Sequence, residues 1–83
     1  MKILVEGIEI ETKEIVDIQD VTGRQFGFII YLANDRKIRI TEDMAYESTI
    51  SERRHINNKY KRLKNEVISK WKEDKIDVPV FNL

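Results

Sequence analysis

Few residues of this sequence could perform catalytic chemistry, and their spacing matches no catalytic motif. His55 is the one histidine, with Glu52 three positions before it, so the pair offers a general base or a pH sensor. Nucleophilic catalysis needs a Ser, Thr or Cys placed beside such a base, and the chain has no cysteine. It also has no Gly-x-Ser-x-Gly elbow, Walker loop or HExxH sequence. We therefore interpret His55 as a solvated surface residue and predict a protein that is not an enzyme.

The acidic residues of the first half predict exposed strand faces rather than a metal site. They alternate with apolar residues, as the polar face of a half-buried strand does, and comprise Glu9, Glu11, Glu14, Asp17 and Asp20. The run from residue 17 to residue 23 has the composition of a metal loop, but it lacks the ligand spacing of an EF-hand. Because there is also no cysteine to supply thiolates, the sequence predicts no metal ion and no cofactor.

A row of basic residues in the second half is the strongest functional pattern. Six positive charges and no negative one lie between Arg53 and Lys64. On a helix that turns by about 100° per residue, Arg54, Lys61 and Lys72 share one flank, with Lys64 beside them. These four side chains are candidate contacts for the phosphates of a nucleic acid or for an acidic partner surface. The alternative, which we favour, is an ordinary charged helix face.

Length and composition predict a single small domain with no net charge. The 83 residues weigh 9.9 kDa, 41% of them are hydrophobic, and 15 basic side chains balance 15 acidic ones. This hydrophobic content argues against disorder, and no apolar run is long enough to cross a bilayer. Residues 1–43 carry 6 Lys and Arg against 9 Asp and Glu, whereas residues 44–83 carry 9 against 6. These opposed halves can pair within one chain or between two copies.

The opening residues do not read as a secretion signal. Glu6 and Glu9 interrupt the apolar segment that such a signal needs. We therefore expect a cytoplasmic location and no membrane contact. Neither a pocket motif nor a phosphate-binding loop indicates a small-molecule substrate.

Residues 1–41 predict an antiparallel β-meander of four to five strands. In the first hairpin a two-residue turn at Glu6 and Gly7 would place two apolar pairs on one side of the ribbon, Val5 with Ile8 and Ile3 with Ile10. A third strand follows at about residues 14–21, with Val16 and Ile18 on its core face.

Two further strands are expected at about residues 25–33 and 36–41. The first of them is apolar on both faces, which is typical of a central strand. A two-residue turn at Asn34 and Asp35 would set the register of the second, pairing Tyr31 with Ile38 and Ile29 with Ile40.

Residues from about 50 to 75 predict one long helix. The apolar positions recur at steps of three and four, as in a helical stripe, and are Ile56, Tyr60, Leu63, Val67 and Trp71. Thr49 and Glu52 have the spacing of a capping box, so the helix should begin near Ile50. An earlier start, with Thr41 as the cap, is the alternative. Pro79 cannot continue a helix and sets the latest end.

The helix and the tail that follows it predict self-association. A helix of about 25 residues is about 37 Å long, whereas a compact domain of this size is about 30 Å across. The overhanging part of the stripe would expose apolar residues such as Trp71. Residues 76–83 read as an extended apolar tail whose Val78, Val80 and Phe81 could dock on a sheet edge of the same or a second copy. We therefore expect a homodimer.

These patterns combine into one prediction of fold and function. The fold class is α+β, an antiparallel β-meander of four to five strands packed against one long C-terminal α-helix, all in one domain of residues 1–83. The predicted function is a small non-enzymatic binding and assembly module that self-associates; a nucleic-acid-associated protein that uses the basic flank is the second hypothesis. The predicted core comprises Ile3, Val5, Ile8, Ile10, Val16, Ile18, Phe28, Ile30, Leu32, Ile38, Ile40, Ile56, Tyr60, Leu63, Val67 and Trp71.

Overall fold

The structure, a computed structural model, describes residues 1–76 as five antiparallel strands followed by one long helix. A single turn of 3-10 helix, Thr12–Glu14, separates the second strand from the third. The elements in chain order are β1 (Lys2–Val5), β2 (Ile8–Glu11), β3 (Ile15–Asp20), β4 (Gln25–Leu32), β5 (Arg36–Asp43) and α1 (Ile50–Ile76).

The five strands form two sheets instead of one continuous meander. β1 pairs with β2, and β3, β4 and β5 form a second sheet in that order. The chain changes partners at the 3-10 turn. On one side of it the Thr12 N–H donates to the Met1 carbonyl, and on the other the Ala33 N–H donates to the Glu14 carbonyl. The α+β class with antiparallel strands is therefore confirmed, whereas a single sheet is not.

The first hairpin has the register that its turn predicts. Glu6 and Gly7 have φ angles of 50° and 78°, and a type I′ turn requires positive φ at both central residues. Both predicted apolar pairs are present, Val5 with Ile8 and Ile3 with Ile10. The predicted burial of Ile8 is wrong, because Ile8 is 39% exposed although Val5, its partner across the turn, is buried.

A β-bulge reverses the predicted faces at the start of β3. The pairing with β4 shifts between Ile15 and Asp17, so that Val16 lies outside the regular ladder. Ile15 is buried and Ile18 packs against the core, whereas Val16 is 63% exposed. The predicted burial of Val16 is wrong because a bulged residue breaks the alternation on which that prediction depended.

The loop between β4 and β5 is one residue longer than expected. Ala33 joins the predicted turn residues 34–35, so the register differs by one position from the prediction. A one-residue shift moves every side chain of a strand to the opposite face. The apolar residues of β5 therefore face the core residues of β4 rather than its outer face: Ile38 pairs with Ile30, and Ile40 pairs with Phe28.

Gly27 lies in the middle of this sheet, where no side chain fits. Its φ angle is 118°, and a Cβ atom at this position would overlap the Ile40 carbonyl oxygen of the neighbouring strand. Only glycine combines this φ with so close an approach of two backbones. Gly27 therefore permits the close approach of β4 and β5 where it pairs with Thr41.

α1 begins at Ile50, as the capping box predicts. Thr49 Oγ1 accepts a hydrogen bond from the Glu52 N–H at 3.1 Å, and the Thr49 N–H donates to Glu52 Oε2 at 3.4 Å. The alternative start after Thr41 is wrong, because β5 continues through that residue to Asp43.

The apolar stripe of α1 packs on the chain's own two sheets. Tyr60 and Val67 are buried, and Ile56, Leu63 and Trp71 pack against the core with part of their surface exposed. The helix is about 40 Å long, but it contacts β4, β1 and the 3-10 turn along its length. Ile56 and Trp71 therefore pack on the chain's own core with part of their surface exposed, whereas Ile50 at the start of the helix is 75% exposed.

The core contains residues that the sequence analysis did not include. Thr12, Ile15, Phe26 and Ile29 are buried in addition to the predicted set. Of the predicted tail, residues 77–83 lie outside the described residues, and with them the candidate self-association residues Val78, Val80 and Phe81.

Candidate functional site

Packing of α1 on the two sheets leaves a groove on each flank of the helix. The first groove lies between α1 and β1 and has a volume of about 600 Å³. Most of its lining surface is apolar. The apolar lining residues are Ile3, Leu4, Val5, Leu63 and Val67, and the polar ones are Arg62, Asn65, Glu66, Ser69, Lys70 and Glu73. We call it the apolar groove.

Leu4 is the most exposed apolar residue of the apolar groove. Its side chain is 74% exposed, although its strand neighbour Val5 is buried. The alternation of a strand explains this difference, since Ile3 and Val5 point to the core and Leu4 points the other way. The sequence analysis did not include Leu4, but the same alternation could have identified it as an apolar side chain on the outer face.

The outer edge of β1 carries unpaired backbone groups. Within residues 1–76, β1 pairs with β2 alone. The two-residue turn makes Val5 and Ile8 a hydrogen-bonded pair, and the pattern alternates from there along the ribbon. The N–H and C=O groups of Leu4 and Lys2 therefore point away from β2. An edge of this kind can pair with another strand.

The charges near the apolar groove largely neutralise one another. Lys70 Nζ lies 3.6 Å from Glu73 Oε2 on the rim, and Lys59 Nζ lies 3.9 Å from Glu6 Oε1 at the turn. Such pairs leave no strong field of either sign, so the groove suits an apolar segment rather than a charged one.

The second groove lies on the other flank of α1 and is polar. It has a volume of about 440 Å³ and is lined by Asn57, Tyr60, Lys61, Lys64 and Asn65 of α1 and by residues of β3, β4 and the turn between them. Lys64 Nζ lies 2.8 Å from Asp20 Oδ1, a carboxylate 44 positions earlier in the chain. The tertiary structure therefore neutralises one of the four candidate cations of the basic flank.

The other three cations of the basic flank remain exposed. Arg54, Lys61 and Lys72 make no ion pair with any residue of the range 1–76. Along the helix axis, Lys61 is about 10 Å from Arg54 and about 17 Å from Lys72. The exposed row of positive charges therefore consists of Arg54, Lys61 and Lys72, whereas Lys64 is paired with Asp20.

Tyr60 is a core residue and not a stacking platform for bases. Its ring is buried, and its O–H donates to Glu42 Oε1 at 3.1 Å. Burial and the Glu42 carboxylate, in that order, raise the pKa of the Tyr60 phenol above its usual value. The hydroxyl therefore stays protonated and serves the packing of α1 on the sheet.

A buried polar contact ties the end of α1 to the 3-10 turn. Thr12 is 1% exposed, and its Oγ1 donates to Asp74 Oδ2 at 2.7 Å. This hydrogen bond, followed by the nearby Met1 amino group, lowers the pKa of the Asp74 carboxyl. No local pattern links two residues 62 positions apart, so sequence analysis had no signal for this pair.

His55, the one histidine of the sequence, does not line either groove. His55 is exposed on α1, as expected for a solvated side chain. Among residues 1–76, no group of three or more His, Asp or Glu side chains is arranged to hold a metal ion. The single helix of this part of the chain is too polar to cross a lipid bilayer.

Fold and grooves together define a small α+β protein with antiparallel sheets and an open strand edge. Comparison of the chain with protein-family models, curated proteins and solved structures gave no match in any of the three. The grooves are therefore the basis on which a function is argued.

Proposed function

We propose that this protein is a non-enzymatic binding and assembly module that associates with a second copy of itself through the apolar groove. The observation that carries the proposal is the edge of β1 beside the exposed Leu4, which no other strand of residues 1–76 pairs with. An extended segment added to a strand edge gains main-chain hydrogen bonds, and its side chains gain an apolar surface to cover.

The edge of β1 has little of the protection that natural sheets give to free edges. Such edges usually carry inward charges, a proline or a bulge. β1 has one charged residue, Lys2, whose Nζ lies 3.4 Å from Glu9 Oε1 on the neighbouring strand. Its shortness is the one protective feature, since β1 has 4 residues. A partner segment would both pair with the edge and cover Leu4.

This proposal assigns self-association to a different surface from the one that the helix length suggested. The stripe residues Ile56 and Trp71 pack against the chain's own core. A dimer built on the apolar groove needs no exposed helix stripe, and it leaves the polar outer face of α1 in water.

Sedimentation of the full chain across the micromolar range tests the proposal. We expect a dimer for the natural sequence and a monomer for Leu4→Glu, because the partner segment that covers residue 4 would bury a carboxylate there without a hydrogen-bond partner. Val16→Glu is the matched control: it also replaces an exposed apolar strand residue, but on the other sheet. A natural chain that stays monomeric, or a dimer that Leu4→Glu leaves intact, would overturn the proposal.

The second candidate function is binding of nucleic acid along the basic flank. It is favoured by the exposed row of Arg54, Lys61 and Lys72, which no carboxylate of residues 1–76 neutralises. Binding to phosphates would weaken with salt, with a slope of log K against log salt of about −0.9 for each phosphate contacted on duplex DNA.

A titration with short duplex and single-stranded DNA tests this second function. We expect Lys61→Glu to weaken binding on all sequences alike and to reduce the salt slope. Lys37→Glu, an exposed lysine on β5, is the control for net charge. Affinity that does not change with Lys61→Glu, or no binding at low salt, would remove the hypothesis.

The absence of enzymatic activity and a cytoplasmic location also belong to this proposal. They depend on the sequence composition, namely the single histidine and the missing cysteines. An enzymatic activity of the purified protein that is lost in His55→Ala would contradict the first of them.

A further inference from the structure

We infer that the apolar groove receives the C-terminal tail of a second copy of this chain, residues 77–83, so that two copies exchange their tails reciprocally. This inference rests on the proposed self-association and names the segment that performs it. The tail reads D-V-P-V-F-N-L and follows directly after α1.

The length of the tail matches the length of the groove. Along α1 the groove extends from Arg62 to Glu73, which corresponds to about 17 Å. In an extended conformation, residues 78–83 span about 20 Å. One tail is therefore long enough to cover the groove from end to end.

The side chains of the tail suit a groove with two apolar walls. In an extended segment, Val78 and Val80 share one face, while Pro79, Phe81 and Leu83 share the other. A strand that is apolar on both faces needs cover on both sides. An added strand beside β1 has one face toward Leu63 of α1, and its other face lies next to the exposed Leu4 of β1.

The residues after α1 favour exchange between copies over folding back. To reach its own groove, the tail would have to reverse direction directly after Ile76 and run back beside the helix. Helices that reverse in this way usually have a glycine after the last turn, and here Asp77 follows. Val78 is restricted to extended conformations by Pro79, so Asp77 alone would have to make the reversal.

A reciprocal exchange also satisfies symmetry. Each copy has one apolar groove and one tail. When a two-fold axis relates two copies, each tail fills the apolar groove of the other copy, and no further copy can add. A reversal later in the tail would leave too few residues to cover a groove of this length.

Disulfide trapping tests the inference on the full chain, which contains no cysteine of its own. We would prepare Leu4→Cys and Val80→Cys as separate variants, mix them, and oxidise the mixture. We expect a covalent dimer of one Leu4→Cys chain with one Val80→Cys chain, because a disulfide forms only where the two Cα atoms come within about 7 Å. A second mixture, of Leu4→Cys with Phe81→Cys, tests the opposite face of the tail, since either face of the tail could lie next to residue 4. Val16→Cys mixed with Val80→Cys is the control and should give no such product.

A second measurement separates this inference from the proposed function. We expect Phe81→Asp in the full chain to halve the mass in sedimentation while its circular dichroism remains that of the natural chain. A dimer that survives Phe81→Asp but dissociates with Leu4→Glu would leave the proposed function standing and overturn the tail as the partner segment.

Two other outcomes would also overturn the inference. If the double variant Leu4→Cys/Val80→Cys forms its disulfide only within one chain, the tail folds back and the exchange is wrong. If the natural chain is a monomer at all concentrations, the proposed function fails together with the inference.

Discussion

Thr12 and Asp74, 62 positions apart, share a hydrogen bond of 2.7 Å that joins the last turns of α1 to the link between the two sheets. The Asp74 side chain is 9% exposed, and its second oxygen lies 3.6 Å from the Met1 amino group. The pair therefore holds three parts of the chain together: the first strand, the 3-10 turn and the helix. The contact is also sensitive to acid, because protonation of Asp74 weakens the hydrogen bond from Thr12 and removes the charge that pairs with the Met1 amino group.

The stability that Asp74 contributes should be lost in acid. Its pKa in the folded protein is lowered, first by the Thr12 hydroxyl, so the contact is fully formed above the usual carboxyl pKa of 3.8 and is lost as the pH falls through the lowered value. We expect Asp74→Asn to lower the urea midpoint at pH 7 and to flatten its fall below pH 4. Urea unfolding measured across this pH range checks the prediction. Glu73→Gln, which changes a rim carboxylate, should keep the acid dependence of the natural chain.

Tyr60 should stabilise the folded protein at neutral pH, and this stabilisation should be lost at alkaline pH. Loss of its hydrogen bond to Glu42 in Tyr60→Phe should cost about 1 kcal/mol at pH 7. Because its folded pKa is raised, the neutral phenol contributes fully below the unfolded value of about 10 and the contribution is lost as the pH rises through the folded value. Tyr60→Phe should therefore reduce the loss of stability in alkali. Thermal unfolding at several pH values would show this, with the exposed Tyr46→Phe as the control; equal alkaline losses in both variants would contradict it.

Gly27 should tolerate no side chain. Gly27→Ala places a Cβ against the Ile40 carbonyl oxygen at a φ of 118°, and we expect a loss of about 3 kcal/mol or more. Gly23 also has positive φ, but no atom lies near the position of its Cβ, so Gly23→Ala should cost only about 1 kcal/mol. Chemical unfolding of the two variants compares them directly. Similar losses at the two sites would mean that the close approach of β4 and β5 adds nothing.

The ion pair of Asp20 and Lys64 should separate the two functional hypotheses. The pair lies at the surface, with the Asp20 side chain 72% exposed, so Asp20→Asn should change the stability by less than about 1 kcal/mol. If the basic flank binds nucleic acid, the freed Lys64 should strengthen binding and steepen its salt dependence. If the apolar groove carries the function, Asp20→Asn should leave both DNA binding and the dimer unchanged. Sedimentation and a DNA titration on the same variant distinguish these results.

The sequence by itself determined the features that depend on neighbours along the chain. The turn at Glu6 and Gly7 sets the pairing of β1 with β2, since a two-residue hairpin leaves no freedom of register. The capping box of Thr49 and Glu52 marks the start of α1 in the same local way. The stripe from Ile56 to Trp71 is also local, because a helix brings residues three and four apart onto one face.

Other features were decided only by the tertiary structure. In these, one additional residue in a loop or strand changes which face of the strand is buried or which residue it pairs with. Ala33 lengthens one loop and thereby turns Ile38 and Ile40 toward the core, while the bulge at Val16 turns an apolar residue outward. The division into two sheets, the Lys64 contact with Asp20 and the free edge of β1 follow from packing between distant segments. Such choices cannot be made from local pattern, because one additional residue in a loop or a bulge decides which face of a strand packs on the core.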